Sequence, residues 1–128
     1  MIYFDTSYVV RCYLEDPGFS EVRKLAQTDD VACAAFGQVE APAAFHRKLR
    51  EGALTQAQYH AVVNQFETDL TGSVFEWLSI TPALLNRVRL AFRLLPANIF
   101  LRAGDALHLV CALENGFRGI YSNDRNLL

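Results

Sequence analysis

Ile2-Tyr3-Phe4-Asp5-Thr6-Ser7 is a short apolar run that stops on an acid and two hydroxyl side chains. The apolar triplet reads as a buried strand. The polar triplet can cap a helix over Tyr8 to Leu14, which Asp16-Pro17-Gly18 then stops. Downstream the alternation repeats. A helix over Phe19 to Ala26 precedes the turn residues Thr28-Asp29-Asp30, and Val31 to Ala35 forms a second strand. A long helix runs from about Gln38 to Arg50 and ends at Gly52, and Thr55 caps another that reaches about Leu70. Val74 to Ile80 is a third strand, and Thr81-Pro82 opens a helix ending near Leu95-Pro96. Asp105 opens a very apolar helix to Asn115, closed by Gly116. Arg118-Gly119-Ile120-Tyr121 is a fourth strand, and Ser122-Asn123-Asp124 begins a last turn. Short apolar runs alternating with longer periodic segments predict a three-layer α/β/α fold, in which a short parallel sheet is covered by helices on both faces.

Composition bounds what such a chain does. Its 128 residues make one domain, and 52% of them are hydrophobic, enough to fill a core and leave apolar surface over. A start of Met-Ile-Tyr-Phe-Asp lacks the basic character of a signal peptide, and no apolar run approaches the roughly 20 residues of a membrane helix, so the expected location is the cytosol. Cys12, Cys33 and Cys111 lie far apart without a C-x-x-C pair and read as buried reduced thiols. A formal charge of −2 argues against broad charge-driven binding to nucleic acid, so any such contact rests on local basic residues. There is no G-x-G-x-x-G and no P-loop.

The acids stand out against this map. Asp5 ends the first strand, Glu40 lies in the first turn of the helix after the second, and Asp124 follows the fourth. These are the carboxyl ends of strands, where parallel sheets bind ligands, and Asp105 joins them if its helix starts on that side. Clustered carboxylates repel one another, and a hard divalent cation relieves the repulsion. An all-oxygen set suits Mg²⁺ or Mn²⁺, which can activate water against a phosphodiester. Each acid taken singly also has a plain reading, as a cap, a dipole partner or a solvated first-turn acid.

Tyr3-Phe4-Asp5-Thr6-Ser7, Val39-Glu40, Gly104-Asp105-Ala106-Leu107-His108 and Tyr121-Ser122-Asn123-Asp124-Arg125 together resemble a PIN domain, most closely the VapC-type toxins of bacterial toxin–antitoxin pairs. The likeness spans essentially the whole chain in the family's order. It implies metal-dependent endonucleolytic cleavage of RNA, homodimerisation, and inhibition by a cognate antitoxin that inserts a peptide near the acids. Carried over, Asp5, Glu40, Asp105 and Asp124 match the family's metal-binding acids. Asp5 and Asp105 are expected as direct ligands, Glu40 as orienting the water or a second ion, and Asp124 as acting directly or through water. Thr6 and Ser7 match its polar residues after the first acid, and Ser122 or Asn123 its polar partner of the last. Two departures stand: Ala34-Ala35-Phe36-Gly37 lacks the serine often found before the second acid, and the chain ends at Leu128, before the family's usual fifth strand.

Arg47, two turns past Glu40, and Arg102, just before Asp105, are candidate contacts to RNA phosphate or to an antitoxin acid; either also reads as a solvated arginine. His108, one turn past Asp105, reads as a helix residue with a satisfied ring and not as a ligand. Along the helix after Pro82, Leu84, Val88, Ala91, Phe92 and Leu95 share one face, flanked by Leu85 and Leu94. The helix before it places Tyr59, Val63, Phe66 and Leu70 together, with Val62 widening the stripe. So many apolar positions over four strands point to a homodimer or a bound antitoxin helix, with Leu85 and Val62 at the contact. Two rivals remain. A phosphatase using Asp5 as nucleophile wants a second Asp at position 7, where Ser7 stands, and a non-catalytic PIN-fold binding module has no need of four acids.

Overall fold

The computed structural model of the protein describes residues 1–123. Its elements are β1 (Ile2–Tyr3), α1 (Thr6–Arg11), α2 (Phe19–Thr28), β2 (Val31–Ala34), α3 (Gly37–Arg50), α4 (Gln56–Thr71), β3 (Glu76–Leu78), α5 (Pro82–Leu94) and α6 (Ala103–Glu114). The strands form a parallel sheet in the order β1-β2-β3, with Ile2 opposite Val31 and Cys33 opposite Trp77.

Successive side chains of a strand point to opposite faces, and here that period sorts the core into two halves. Phe4, Val31 and Cys33 pack with Val9, Val22, Phe45 and Phe66 under α1 to α4. Tyr3, Ala32 and Ala34 pack with Leu84, Cys111 and Ala112 under α5 and α6. All four residues of β2 are buried, as a strand covered on both faces must be. The three layers expected from the sequence are therefore present.

Helix ends follow local chemistry. The Thr55 hydroxyl accepts from the Gln58 amide, and the Gln58 side chain accepts from the Thr55 amide. Thr81 caps α5 ahead of Pro82. Gly52 and Gly116, at φ 75° and 83°, take the left-handed turn that ends α3 and α6. The helix expected to open on Asp105 begins two residues earlier, so Asp105 occupies its first turn and Arg102 its N-cap.

Three expectations are corrected. The third strand is shorter than 74–80, because β2 offers only four residues for it to pair with. Segment 118–121 is not a strand; it joins the sheet through a single parallel bridge between Phe4 and Tyr121, Gly119 lacking a side chain to pack. Val62 is not an outward contact. It is half-buried against the Phe45–Phe66 core, because α4 folds back over α3. On α5, by contrast, Leu84 is buried while Leu85, Phe92 and Leu94 are exposed. Cys33 and Cys111 are buried and Cys12 half-buried, all as free thiols, and burial pushes Cys12 up to about 11. No helix among the described residues is long and apolar enough to cross a membrane.

One contact sets how closely α3 approaches the sheet. A Cβ added at Gly37 would lie 2.8 Å from Cys33 Sγ, 3.0 Å from Trp77 Cζ3 and 3.4 Å from Thr6 Oγ1. Alanine gains up to about 1 kcal/mol in helix propensity over glycine, and less in a first turn. Overpacking a tight core costs roughly 1–3 kcal/mol, and Cys33 has no room to retreat. Gly37→Ala is therefore expected to destabilise the protein by about 1 kcal/mol, read by urea unfolding; an unchanged or raised midpoint would show that the approach is slack.

Candidate active site

Asp5 stands where β1 gives way to α1 and is 6% exposed. Its Oδ1 accepts from the Ser7 hydroxyl at 2.5 Å and from the Tyr8 amide at 3.3 Å, so it caps α1 as its position in the sequence suggests. Its Oδ2 accepts from the Ser122 hydroxyl at 2.6 Å. Ser122 is brought there by backbone pairing: the Tyr121 amide donates to Tyr3 O and the Asp5 amide donates to Tyr121 O. The Asn123 amide then donates to Ser7 Oγ at 3.2 Å. Thus Ser7, Ser122 and Asn123 gather around Asp5.

Thr6, the next residue, turns to the second acid. Its hydroxyl donates to Glu40 Oε1 at 2.7 Å. Oε1 also accepts from His108 Nε2 at 2.7 Å, and the opposite ring nitrogen, Nδ1, lies 2.7 Å from the Tyr3 hydroxyl. His108 is 2% exposed, so its ring is satisfied as expected, but by an acid the sequence did not pair it with. Tyr3 was missed as well. The available signal was spacing: His108 lies three residues past Asp105 and so shares its helix face.

The first turn of α6 closes the group from the other side. A Cβ at Gly104 would sit 3.0 Å from Glu40 Oε2, so the absence of a side chain there leaves Oε2 uncovered by α6. Asp105, half-buried, is the next residue. Helix α6 therefore does start on the side of Asp5 and Glu40, which the strand pattern alone left open. Asp124 lies outside the described residues.

Among the described residues no three His, Cys, Asp or Glu side chains come close enough together to enclose a metal ion. The donors do suit a hard cation. They are carboxylate oxygens, the one nearby imidazole is committed to Glu40 and Tyr3, and Asp5 Oδ2 keeps a lone pair beyond its bond from Ser122. Mg²⁺ typically binds through one or two carboxylates with water completing the shell, so a tight cage is not required.

A cleft of about 430 Å³ runs beside this group, from Thr6, Ser7 and Asn123 to Arg47 and Lys48. Arg47 is exposed and paired with Glu51 at 3.1 Å, and Lys48 is paired with Asp16 at 3.3 Å. Arg102 is exposed at the start of α6 and makes no side-chain capping bond.

Burial pushes the Glu40 carboxyl up, but the hydrogen bonds from His108 and Thr6 outweigh it and hold the group below its ordinary value of 4.5. A folded value below the unfolded one contributes stability above the unfolded value, lost as pH falls through the folded one. Thermal melts on acidification below pH 4.5 should therefore show the wild type losing stability more steeply than Glu40→Gln. Parallel profiles would mean that the hydrogen bonds do not favour the ionised form.

No curated protein matches the chain significantly. The PIN domain profile matches residues 2–128, nearly the full length. PIN domains are usually nucleases, hydrolytic enzymes that generally use divalent metals. With that match over a three-layer fold carrying its acids at the carboxyl edge of the sheet, the chain belongs to the PIN-domain family.

Proposed function

We propose that this PIN domain is a divalent-metal-dependent endoribonuclease and the toxin component of a toxin–antitoxin pair. The observation that carries the catalytic part is the separate anchoring of two acids on one sheet edge. Asp5 is held by Ser7 and Ser122, Glu40 by Thr6 and His108, and the first turn of α6 lies against Glu40. Stabilisation of a single helix terminus needs no second acid fixed by its own donors.

Asp5, Glu40 and Asp105 are the residues that would hold Mg²⁺ or Mn²⁺, with Asp124 as the fourth acid of the matched pattern. The bound ion would neutralise phosphodiester charge and activate water there. The chain's own part is to keep its acids oriented before substrate arrives, since a preformed site does not reorganise during reaction. The cleft ending at Arg47 and Lys48 gives the RNA backbone local cations, as an acidic chain requires. Arg102 stands beside the α6 turn, where a phosphate or an antitoxin carboxylate can meet it.

An Asp5 phosphatase fits less well. Ser7 donates a short hydrogen bond to the carboxylate that would have to attack, which lowers its nucleophilicity. A non-catalytic binding module finds some support in the three hydrogen bonds that Asp5 accepts. The pairing of that network with a second anchored acid is not accounted for by binding alone, and the experiment below separates the two.

Asp5→Asn and Asp105→Asn should each cut RNA about 100-fold more slowly or worse while staying folded, since an amide is a poor ligand for a hard cation yet can still cap a helix. Sequencing RNA ends from cells expressing wild type and Asp5→Asn in parallel checks this, with EDTA-treated protein as the control in vitro. Equal cleavage by wild type and both variants would sink the catalytic reading, and a wild type that binds RNA without cutting it would favour the binding module.

Self-association is the second expectation. Leu85, Leu94, Ile99 and Phe100, within one stretch of chain, are 43%, 73%, 50% and 74% exposed. A homodimer face or an antitoxin helix would cover them. Leu85→Glu or Phe100→Glu should shift light-scattering mass toward the monomer with little change in melting temperature. A wild type that stays monomeric at high concentration, and gains no stability from a co-encoded partner, would overturn this part.

A further inference from the structure

Three elements meet on one oxygen of Glu40. Thr6 of α1 and His108 of α6 both donate to Oε1, which faces the protein interior, while Gly104 leaves the space at Oε2 without a side chain. What His108 can donate is decided one residue further in. The Tyr3 hydroxyl oxygen accepts the Ala34 amide at 3.1 Å, and its single proton is left for the ring nitrogen at 2.7 Å. The Cys111 thiol also faces Tyr3, but sulfur is the weaker acceptor. Nδ1 of His108 is therefore an acceptor and Nε2 carries the hydrogen that Glu40 accepts.

We infer that His108 is a positioning residue: locked by Tyr3 in its Nε2–H form, it pins Glu40 through Oε1 and so presents Oε2 toward the first turn of α6. The inference rests on the reading of Glu40 as one of the acids of the nuclease site. Burial of the imidazole makes the lock strict, because neither ring nitrogen has water to exchange with. Each of the four elements β1, α1, α3 and α6 supplies one member of the chain, so Glu40 is oriented by the packing of the whole domain and not by its own helix.

Two substitutions separate positioning from packing. His108→Gln carries an amide nitrogen near the Nε2 position and keeps a donor for Glu40 but offers nothing to Tyr3. His108→Asn carries its amide near the Nδ1 position and keeps the acceptor for Tyr3 but does not reach Glu40. Titration calorimetry of the intact protein with Mn²⁺ alone should show Gln within about threefold of wild type and Asn weakened about 10- to 100-fold, the usual effect of losing a partner that orients a ligand. RNA cleavage by Asn should lose kcat with KM little changed. Nitrogen NMR of the wild-type ring should show a protonated Nε2 and a bare Nδ1, and Glu40→Gln should move the Nε2 signal. Equal Mn²⁺ affinity in the two variants, or a ring protonated at Nδ1, overturns the inference. The reading beneath it fails differently: if Glu40→Gln binds Mn²⁺ and cuts RNA like wild type, Glu40 is not in the site, whatever the ring nitrogens show.

Discussion

A buried carboxyl group needs hydrogen-bond donors already in place, and Asp5 meets that demand with two hydroxyls and a backbone amide. Much of the domain is arranged by this requirement. Ser7 and the Tyr8 amide come free with the first turn of α1, which starts where Asp5 stands. Ser122 comes from the far end of the chain and arrives only because Tyr121 pairs with the backbone on both sides of Phe4. The segment too short to be a strand is still long enough to deliver a serine. The backbone bridge at Tyr121 and the Ser122 bond to Asp5 are thus supplied by one segment.

The second acid extends the same logic into the core. Tyr3 points to one face of the sheet, toward α6, while Phe4 points to the other, toward α1 to α4. Alternation from Tyr3, the last residue of β1, to Phe4 therefore commits the first side chain to a polar chain ending at Glu40 and the next to general packing. The α1 to α4 layer is heavily aromatic, with Tyr13, Phe45, Phe66, Phe75 and Trp77 meeting mostly edge to face. Phe45 of α3 packs within this layer, and the bare surface of Gly37 lets α3 come close enough for Thr6 to reach Glu40. Trp77 Nε1 has no protein partner among the described residues, so its place in this layer rests on packing.

If this PIN domain cuts RNA as proposed, its net negative charge poses a kinetic problem, since the whole-molecule field would repel the substrate. The proposed answer is local: cations of the cleft beside the acids, already held by Glu51 and Asp16, would trade those partners for phosphate. Exposed pairs of this kind cost little to exchange. The apolar surface of α5 and the loop after it would serve assembly, and assembly would in turn place further arginines beside the substrate.

Sequence alone determined the layer order, the strand-to-helix alternation and the placing of Asp5 and Glu40 at strand ends, because those follow from local periodicity and capping chemistry. Through resemblance to a known pattern it read Thr6 and Ser7 as the polar residues after the first acid and Ser122 or Asn123 as the partner of the last, whereas Ser122 donates to Asp5. Only the tertiary structure decided that Thr6 turns from Asp5 to Glu40, and that α6 begins on the acidic side. It likewise decided that His108 is tied to Tyr3, that Val62 faces inward, and that 118–121 makes one bridge instead of a strand. Each of these depends on contacts between residues distant in sequence: 105 positions separate Tyr3 from His108 and 117 separate Asp5 from Ser122. No local pattern encodes such a pairing, because it is selected by how two layers pack across a sheet and not by the propensity of either segment.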